Sequence, residues 1–365
     1  MHDDLAKGPV PALRSGVHFL RFKEGVFLAL FGWLCLCAGG PAAAQEWSAF
    51  KQAFVSADGR VMDRFHDSGS HSEGQGYGLL LAQFHEDRPA FERLWQWTAA
   101  NLQIRRDALF AWSWGRRPNG EWAVIDYNNA SDGDVLIALA LFEAAERWNH
   151  PAFRESALKI VRDIRTQLAV RLDGLQLIAP AYFGFQAGAG FVFNPSYLVL
   201  PAFARFARAD DRTFWERVAE DSARLLDLGA FSRFKLPADW VLFQNGRASV
   251  HAEKSPYFGY EAIRVPLYLL WGGYTDRLKA YAPYLKFVER AGYLPGRVDL
   301  VGGFVSADEA PAGFHAVMAA CSARLGEGAL ADRLEQEASV RIRREPDDYF
   351  SHALYLLSRI RLGEP

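Results

Sequence analysis

"HSEGQGYGLLLAQF", His71 to Phe84, decides the fold. It sets one carboxylate, Glu73, and three glycines, Gly74, Gly76 and Gly78, at the head of a run that is apolar on nearly every side. A helix apolar all round belongs inside a protein. Similar runs recur along the chain: "DVLIALALFEAA", "PSYLVLPAFARFA", "AIRVPLYLLWG", "AGFHAVMAACSA" and "FSHALYLLSRI". Between them lie segments with one polar and one apolar face, among them "RPAFERLWQWTAANLQI", "HPAFRESALKIVRDIRTQLAV", "DRTFWERVAEDSARLLDLG" and "ALADRLEQEASVRIRRE". The apolar helices begin near residues 72, 131, 194, 259, 311 and 348, a spacing of roughly 60 that shortens toward the C-terminus. Each has a more amphipathic neighbour, and convincing alternating strands are scarce. The pattern predicts an all-α toroid of six inner and six outer helices. A helical solenoid would have shorter and more uniform repeats.

The first two inner helices open alike, with "SEGQ" at Ser72 and "SDGD" at Ser131. Each serine can serve as an N-cap with a polar side chain three residues on, as in a capping box. Glu73 and Asp132 then hold equivalent places, and in a parallel inner ring both face one cleft. An acid in the first turn also complements the helix dipole without any further role. Three features favour chemistry over capping. Glycines cost about 1 kcal/mol each inside a helix, so their clustering implies that something approaches the backbone closely. Asp132 repeats the arrangement, and Trp112 and Trp114 lie in the connection leading to it. Paired carboxylates beside aromatic rings suit glycoside hydrolysis, in which one carboxyl group protonates the leaving oxygen and the other handles water or the anomeric carbon. A helix N-terminus lowers a carboxyl pKa, so burial and the charge of Asp132 are expected to raise that of Glu73 again.

Residues 1–44 read as an export signal. Arg21 and Lys23 precede "VFLALFGWLCLCAGG", and Ala42 and Ala44 supply a small-residue cleavage site. A membrane anchor is the alternative, but spanning needs about 20 apolar residues and this run is shorter. Leu34 and Leu36 stand before Cys35 and Cys37, where lipidation wants a small residue. Removal of the leader leaves Cys321 as the lone thiol, so no internal disulfide can form and residues 45–365 must be held by a core, as a single domain. The leader carries four basic and three acidic residues, so the formal net charge of −2 becomes −3 without it. No basic stripe points to nucleic acid. Ten of the eleven tryptophans follow the leader, and although core packing explains most aromatic rings, the richness favours a carbohydrate partner.

"ASDGDVLIALALFEAAERW", Ala130 to Trp148, closely resembles the signature of glycoside hydrolase family 8, and "SEGQGYGLLL" resembles its general-acid segment. "NPSYLVLPAF" and "YEAIRVPLYLLW" resemble two further blocks of the family in the same order, so the likeness covers the chain beyond the leader. Within the family the sequence is most similar to periplasmic endo-β-1,4-glucanases encoded with bacterial cellulose synthases. The resemblance implies an (α/α)6 barrel and hydrolysis of β-1,4-glucan with inversion, with Glu73 as general acid and Asp132 as a sugar contact. It further implies that Tyr197 helps hold the attacking water, that Arg264 braces the site and that Tyr260 lines a subsite. Without it, Tyr197 and Tyr260 read as core-edge aromatics and Arg264 as a capping or salt-bridging residue. One position departs: the family block has Y-D-A where this chain has "YEA", so Glu261 stands in place of the catalytic aspartate. A glutamate keeps the chemistry and reaches one methylene further.

Chitosan, xylo-oligosaccharides and mixed-linkage glucan are the alternative substrates, and a glucan-binding component of a secretion machine whose catalysis has faded is the alternative class. A periplasmic or secreted monomer is expected, with a β-1,4-glucan chain as its partner, a cellulose synthase complex as a candidate second partner, and no cofactor. Nine scattered histidines without H-E-x-x-H or paired cysteines give no metal motif. "GAGFVFN" lacks the third glycine and βαβ context of a nucleotide site.

Overall fold

The computed structural model describes residues 41–361. In chain order the helices of the first half are α1 (Pro41–Phe54), α2 (Ser72–Phe84), α3 (Arg88–Asn101), α4 (Ser131–Arg147), α5 (Pro151–Gln167), α6 (Leu200–Ala207) and α7 (Arg212–Leu228). The second half contributes α8 (Arg264–Trp271), the single turn α9 (Thr275–Leu278), α10 (Ala282–Ala291), α11 (Ala312–Arg324), α12 (Gly328–Arg341) and α13 (Tyr349–Leu357). Helices α2, α4, α6, α8, α11 and α13 each pack on the next, and α13 returns to α2, which closes an inner ring. Around it α3 packs on α2, α5 on α4, α7 on α6, α9 on α8, α12 on α11 and α1 on α13, while α9 runs through a short 3-10 turn into α10. The expected (α/α)6 barrel is what the chain forms.

Burial follows the sequence pattern. On α5 the buried residues are Phe153, Ala157, Ile160, Val161 and Ile164, one stripe of an amphipathic helix. On α4 an unbroken run from Ser131 to Phe142 is buried. Asp87, Asp211 and Asp348 cap α3, α7 and α13 by accepting the backbone N–H groups of Ala90, Phe214 and Ser351.

The capping boxes expected at Ser72 and Ser131 do not form. Both serines are the first residues of their helices, preceded by His71 and Ala130 as N-caps. The cause is backbone pairing just upstream: Ser72 N donates to Trp112 O at 3.0 Å and Ser131 N to Pro180 O at 2.8 Å, which fixes both chains as extended up to those points. Gln75 reaches away from the cap, accepting from Val61 N at 2.6 Å and donating to Thr98 Oγ1 at 2.6 Å. The glycines also have a packing cause. A Cβ at Gly76 would lie 2.8 Å from Leu136 Cβ, and one at Gly133 would lie 2.1 Å from Ser72 Oγ. What approaches the α2 backbone so closely is α4.

Strands are more numerous than expected. Antiparallel β1 (Ser70–His71), β2 (Ser113–Arg116) and β3 (Trp122–Asp126) form one sheet beside the α2 mouth. The hairpin β4 (Ala169–Leu172) and β5 (Leu175–Ile178) follows α5. Strands β6 (Gln186–Ala187) and β7 (Gly190–Phe193) join β10 (Val241–Gln244) and β11 (Arg247–Val250) in the order β11-β10-β7-β6. Two-residue pairs complete the set: β8 (Ala230–Phe231) with β9 (Leu236–Pro237), and β12 (Tyr257–Phe258) with β13 (Val298–Asp299). At two to five residues each, they are too short to display a period of two.

The predicted leader up to residue 40 lies outside the described residues. Helix α1 begins at Pro41, and its buried anchors, Trp47, Phe50 and Phe54, come after the expected cleavage point. No described helix is long and apolar enough to cross a membrane.

Candidate active site

Arg264 organises the open end of the ring. It is the first residue of α8 and is 2 % exposed. Its Nη1 donates to Glu73 Oε2 at 2.8 Å and to Asp132 Oδ2 at 3.1 Å, and its Nη2 donates to Glu261 Oε2. Tyr77 and Tyr268, whose hydroxyls lie 3.1 Å apart, form the floor behind it, with Tyr77 Oη 3.5 Å from Nη1. The two helix mouths therefore do converge, and a third carboxylate joins them from the turn before α8.

These groups open into a cleft of about 1080 Å³ lined on one side by Glu73, Asp132, Tyr197 and Glu261 and on the other by Asp63, His71, Trp112, Trp114 and Trp122. Three carboxylates around one guanidinium would carry a net charge of −2 if all were ionised, an expensive arrangement in a poorly solvated place. Burial pushes the Asp132 carboxyl well above the usual aspartate range, and the neighbouring Glu73 charge adds to the push. Burial, the largest influence, acts the same way on Glu73, but the combined pull of its neighbours, led by the Arg264 charge, outweighs it and holds that carboxyl below the usual glutamate range. This reverses the sequence expectation. Of the two, Asp132 is the one pushed toward its protonated form, because its side chain is the more deeply buried. The other oxygen of Glu73, Oε1, is buried without a hydrogen-bond partner among the described residues.

Glu261 sits in a turn rather than on the helix. Its Oε2 accepts from Asn194 Nδ2 at 2.8 Å as well as from Arg264. Asp239 shapes that turn: its Oδ1 accepts the backbone N–H groups of Gly259 and Ala262 at 3.0 and 2.9 Å, and its Oδ2 accepts from Ser255 Oγ at 2.8 Å. Tyr197 is the last residue of the short 3-10 turn that starts at Pro195, and its ring centre lies 5.8 Å from the Arg264 guanidinium. Burial, then the charges of Asp132 and Glu261, push its phenol well up, so it keeps its proton and can donate to water.

Trp112 is 40 % exposed on the cleft wall. Trp114 is more enclosed, stacked on Trp122 at 5.2 Å between ring centres and edge-on to Trp97 at 5.3 Å, with the Arg60 guanidinium 4.9 Å from its centre. Tyr260, although next to Glu261, does not line this cleft; its ring meets Phe314 edge-on at 5.1 Å and tilts against Phe350 at 6.2 Å.

Sequence reasoning missed Asn194, Asp239, His71 and Trp122. Asn194 lay inside the quoted "NPSY" block, where a side-chain amide between two buried elements was the available signal. Trp122 lies in an exposed hairpin rich in charge, and nothing local marks it. Asp239 acts 20 residues from the turn it shapes. Among the described residues no group of acids, histidines and cysteines is arranged to hold a metal ion.

Residues 22–362 match the model of glycosyl hydrolases family 8. The chain is 35 % identical over 331 residues to a probable endoglucanase of Novacetimonas hansenii, covering 88 % of this chain and 92 % of that one. It is 33 % identical over 319 residues to an endoglucanase of Escherichia coli K12, covering 84 % and 82 %. Among solved structures it superposes on the endo-beta-1,4-glucanase CMCax from Acetobacter xylinum with a TM-score of 0.76 and 35 % identity, covering 87 % of this chain and 96 % of that one. A closed double ring of helices, a cleft at one end of it with three carboxylates on one arginine, and a family match across the whole described region agree: the chain is a glycoside hydrolase and belongs to glycosyl hydrolases family 8.

Proposed function

We propose that the protein is an endo-β-1,4-glucanase that cleaves with inversion, with Glu73 as proton donor and Glu261 as base. The observation that carries this reading is the division of labour around Arg264: Glu73 keeps a buried, unpartnered oxygen, while Glu261 is held on the other guanidinium nitrogen and by Asn194. Substrate size fits an open cleft with tryptophans along its wall, and the similar proteins bear endoglucanase names.

In this mechanism the Glu73 carboxyl group protonates the glycosidic oxygen while water attacks the anomeric carbon from the opposite face. Glu261 takes the water's proton through Oε1, since Oε2 is already occupied, and Tyr197 orients the same water. Inversion needs the two carboxyl groups about 6.5 to 9.5 Å apart, and one guanidinium standing between them keeps them from meeting. The extra methylene of Glu261, relative to the family aspartate, is taken up by folding the side chain back onto Arg264 and Asn194. Because Asp132 is pushed up and Glu73 is held down, binding must reverse the order of the pair. A sugar hydroxyl donating to Asp132 stabilises its charged form, and expulsion of water from around Glu73 favours its neutral form.

The leader read in residues 1–44 supports action in the periplasm or outside the cell, and a role beside cellulose synthesis rests on the resemblance described above. Loss of carboxymethylcellulose viscosity, followed by NMR of the first-formed anomer, tests the whole reading. An α-anomer with rapid thinning is expected. A β-anomer would exclude inversion, and an unthinned solution would leave only glucan binding.

A further inference from the structure

We propose that His71 is a positioning residue for Glu73: its imidazole caps α2 as a neutral acceptor and, braced by Asp63, holds the helical turn that carries the acid. The inference rests on the reading of Glu73 as proton donor.

The geometry is specific. His71 Nδ1 accepts the backbone N–H of Gly74 at 3.1 Å, so the ring carries its proton on Nε2, which faces Asp63 Oδ2 at 3.6 Å. Asp63 Oδ2 also accepts from His66 Nδ1 at 2.7 Å. Burial alone would raise the Asp63 carboxyl, but the neighbouring His71 and His66 side chains hold it down at about 2. On the inner side Tyr349 of α13 meets the imidazole edge-on, with ring centres 5.7 Å apart. A Cβ at Gly74 would lie 2.8 Å from Tyr349 Oη and 3.3 Å from His71 Nδ1, so Gly74 is the space into which both rings fit. Asp63, His66, Glu73 and Tyr349 are thus the titratable groups that face this ring from the preceding loop, from α2 and from α13.

The choice of cap distinguishes this helix from its neighbours. Asp87, Asp211 and Asp348 cap α3, α7 and α13 with a carboxylate, the stronger partner for a helix N-terminus. An aspartate in place of His71 would bring a further negative charge beside Glu73, at a site where Arg264 already meets three carboxyl groups. A neutral imidazole supplies the acceptor without the charge.

Steady-state kinetics of His71→Ala, His71→Asn and Glu73→Gln test this, each on carboxymethylcellulose and on a 2,4-dinitrophenyl β-cellotrioside, whose leaving group needs no proton. His71→Ala should lower kcat on carboxymethylcellulose by about 10-fold to 10²-fold, the scale of a misplaced catalytic group, with KM little changed and the dinitrophenyl substrate spared. His71→Asn keeps a neutral acceptor and should recover most of that loss. Parent-like kcat for His71→Ala would overturn the proposal. So would a His71→Asn variant that loses turnover of the dinitrophenyl substrate as much as of carboxymethylcellulose, a readout that stands even if the alanine variant does not fold. If Glu73→Gln itself turns over carboxymethylcellulose normally, it is the assignment of the acid that falls; if Glu73→Gln is inactive and His71→Ala is normal, only the role of His71 falls.

Discussion

At the mouth of α2, Glu73 keeps partial access to the cleft, has one oxygen on Arg264 and the other free, and is held below its usual range by the guanidinium. At the mouth of α4, Asp132 occupies the matching place in the sequence, yet its side chain is 1 % exposed and its carboxyl is pushed far up by burial. Its Oδ1 turns back to accept the N–H of Gly133 at 2.8 Å. Two nearly identical helix entries therefore shift their carboxyl groups in opposite directions. The difference comes from distance to a single arginine and from solvent, neither of which is a property of four residues.

The largest effects should come from breaking this asymmetry directly. Glu73→Gln is expected to slow hydrolysis of glucan by about 10²-fold or more, the usual scale for losing acid catalysis, with fold and glucan affinity kept. Near-normal turnover would remove Glu73 from the mechanism. The same two positions should also differ in how stability depends on pH. The folded state depresses the pKa of Glu73, so its contribution is present above the unfolded value and lost as pH falls through the folded one. Asp132 is raised, so its contribution is present at low pH and lost as pH rises from the unfolded value through the folded one. Urea titrations across pH should show Asp132→Asn flattening the alkaline-side loss and Glu73→Gln flattening the acid-side loss. If both substitutions flatten the same limb, the two mouths are not electrostatically distinct.

Packing between the mouths offers a second contrast. Alanine at Gly133 would strike Ser72 Cβ at 2.6 Å and Glu73 N at 2.8 Å, part of the backbone that carries the acid. Alanine at Gly78, one turn deeper, would meet the flexible ends of Val61 and Leu94 at 2.8 and 3.2 Å. Overpacking costs about 1–3 kcal/mol, and the better helix propensity of alanine returns roughly 1 kcal/mol. Gly133→Ala should therefore lose both stability and kcat, whereas Gly78→Ala should lose less stability and keep kcat. Thermal melts with parallel turnover measurements decide this. An active, stable Gly133→Ala would mean that the α2–α4 contact does not position Glu73.

Much of the ring was readable because a helix apolar on every side has only one place to go. "GYGLLLAQF" and "DVLIALALFEAA" are buried along nearly their whole length, and their mouths meet as their matching entries implied. The local chemistry was less readable. Ser72 was the evident N-cap, but pairing of its N–H with Trp112 shifted the helix start and gave the cap to His71. The glycines signalled close approach correctly, but the approaching groups are Tyr349 and His71 at Gly74, α4 at Gly76, and Val61 with Leu94 at Gly78. The direction of the Glu73 pKa depended on Arg264, 191 positions later in the chain, whose guanidinium no local pattern places. Tyr260 was adjacent to the base in sequence, yet its ring, 57 % exposed, rests against Phe314 and Phe350 and does not line the same cleft.

The smallest expected effect separates the two tryptophans of "LFAWSWG". Trp112 is exposed on the cleft wall, and none of the described aromatic rings stacks on it. Trp114 is locked between neighbours: Trp122 stacks on it, Trp97 meets its edge and Arg60 lies over it. A sugar can reach the first ring directly, whereas the second acts through Trp122, which is 43 % exposed and lines the same cleft. Trp112→Ala should raise KM for long cello-oligosaccharides by about tenfold, equivalent to about 1.4 kcal/mol, with Tm nearly unchanged. Trp114→Ala should lower Tm, since it removes an aromatic cluster in which each ring pair is worth about 0.5–1.5 kcal/mol beyond its area, and should weaken binding only as far as Trp122 loses its support. Trp122→Ala then resolves the pair: a KM rise like that of Trp112→Ala, without the Tm loss of Trp114→Ala, makes Trp112 and Trp122 the sugar-facing plates and Trp114 the plate behind them. Equal KM effects from all three would instead mean that the sugar reaches Trp114 itself and that the stack opens on binding.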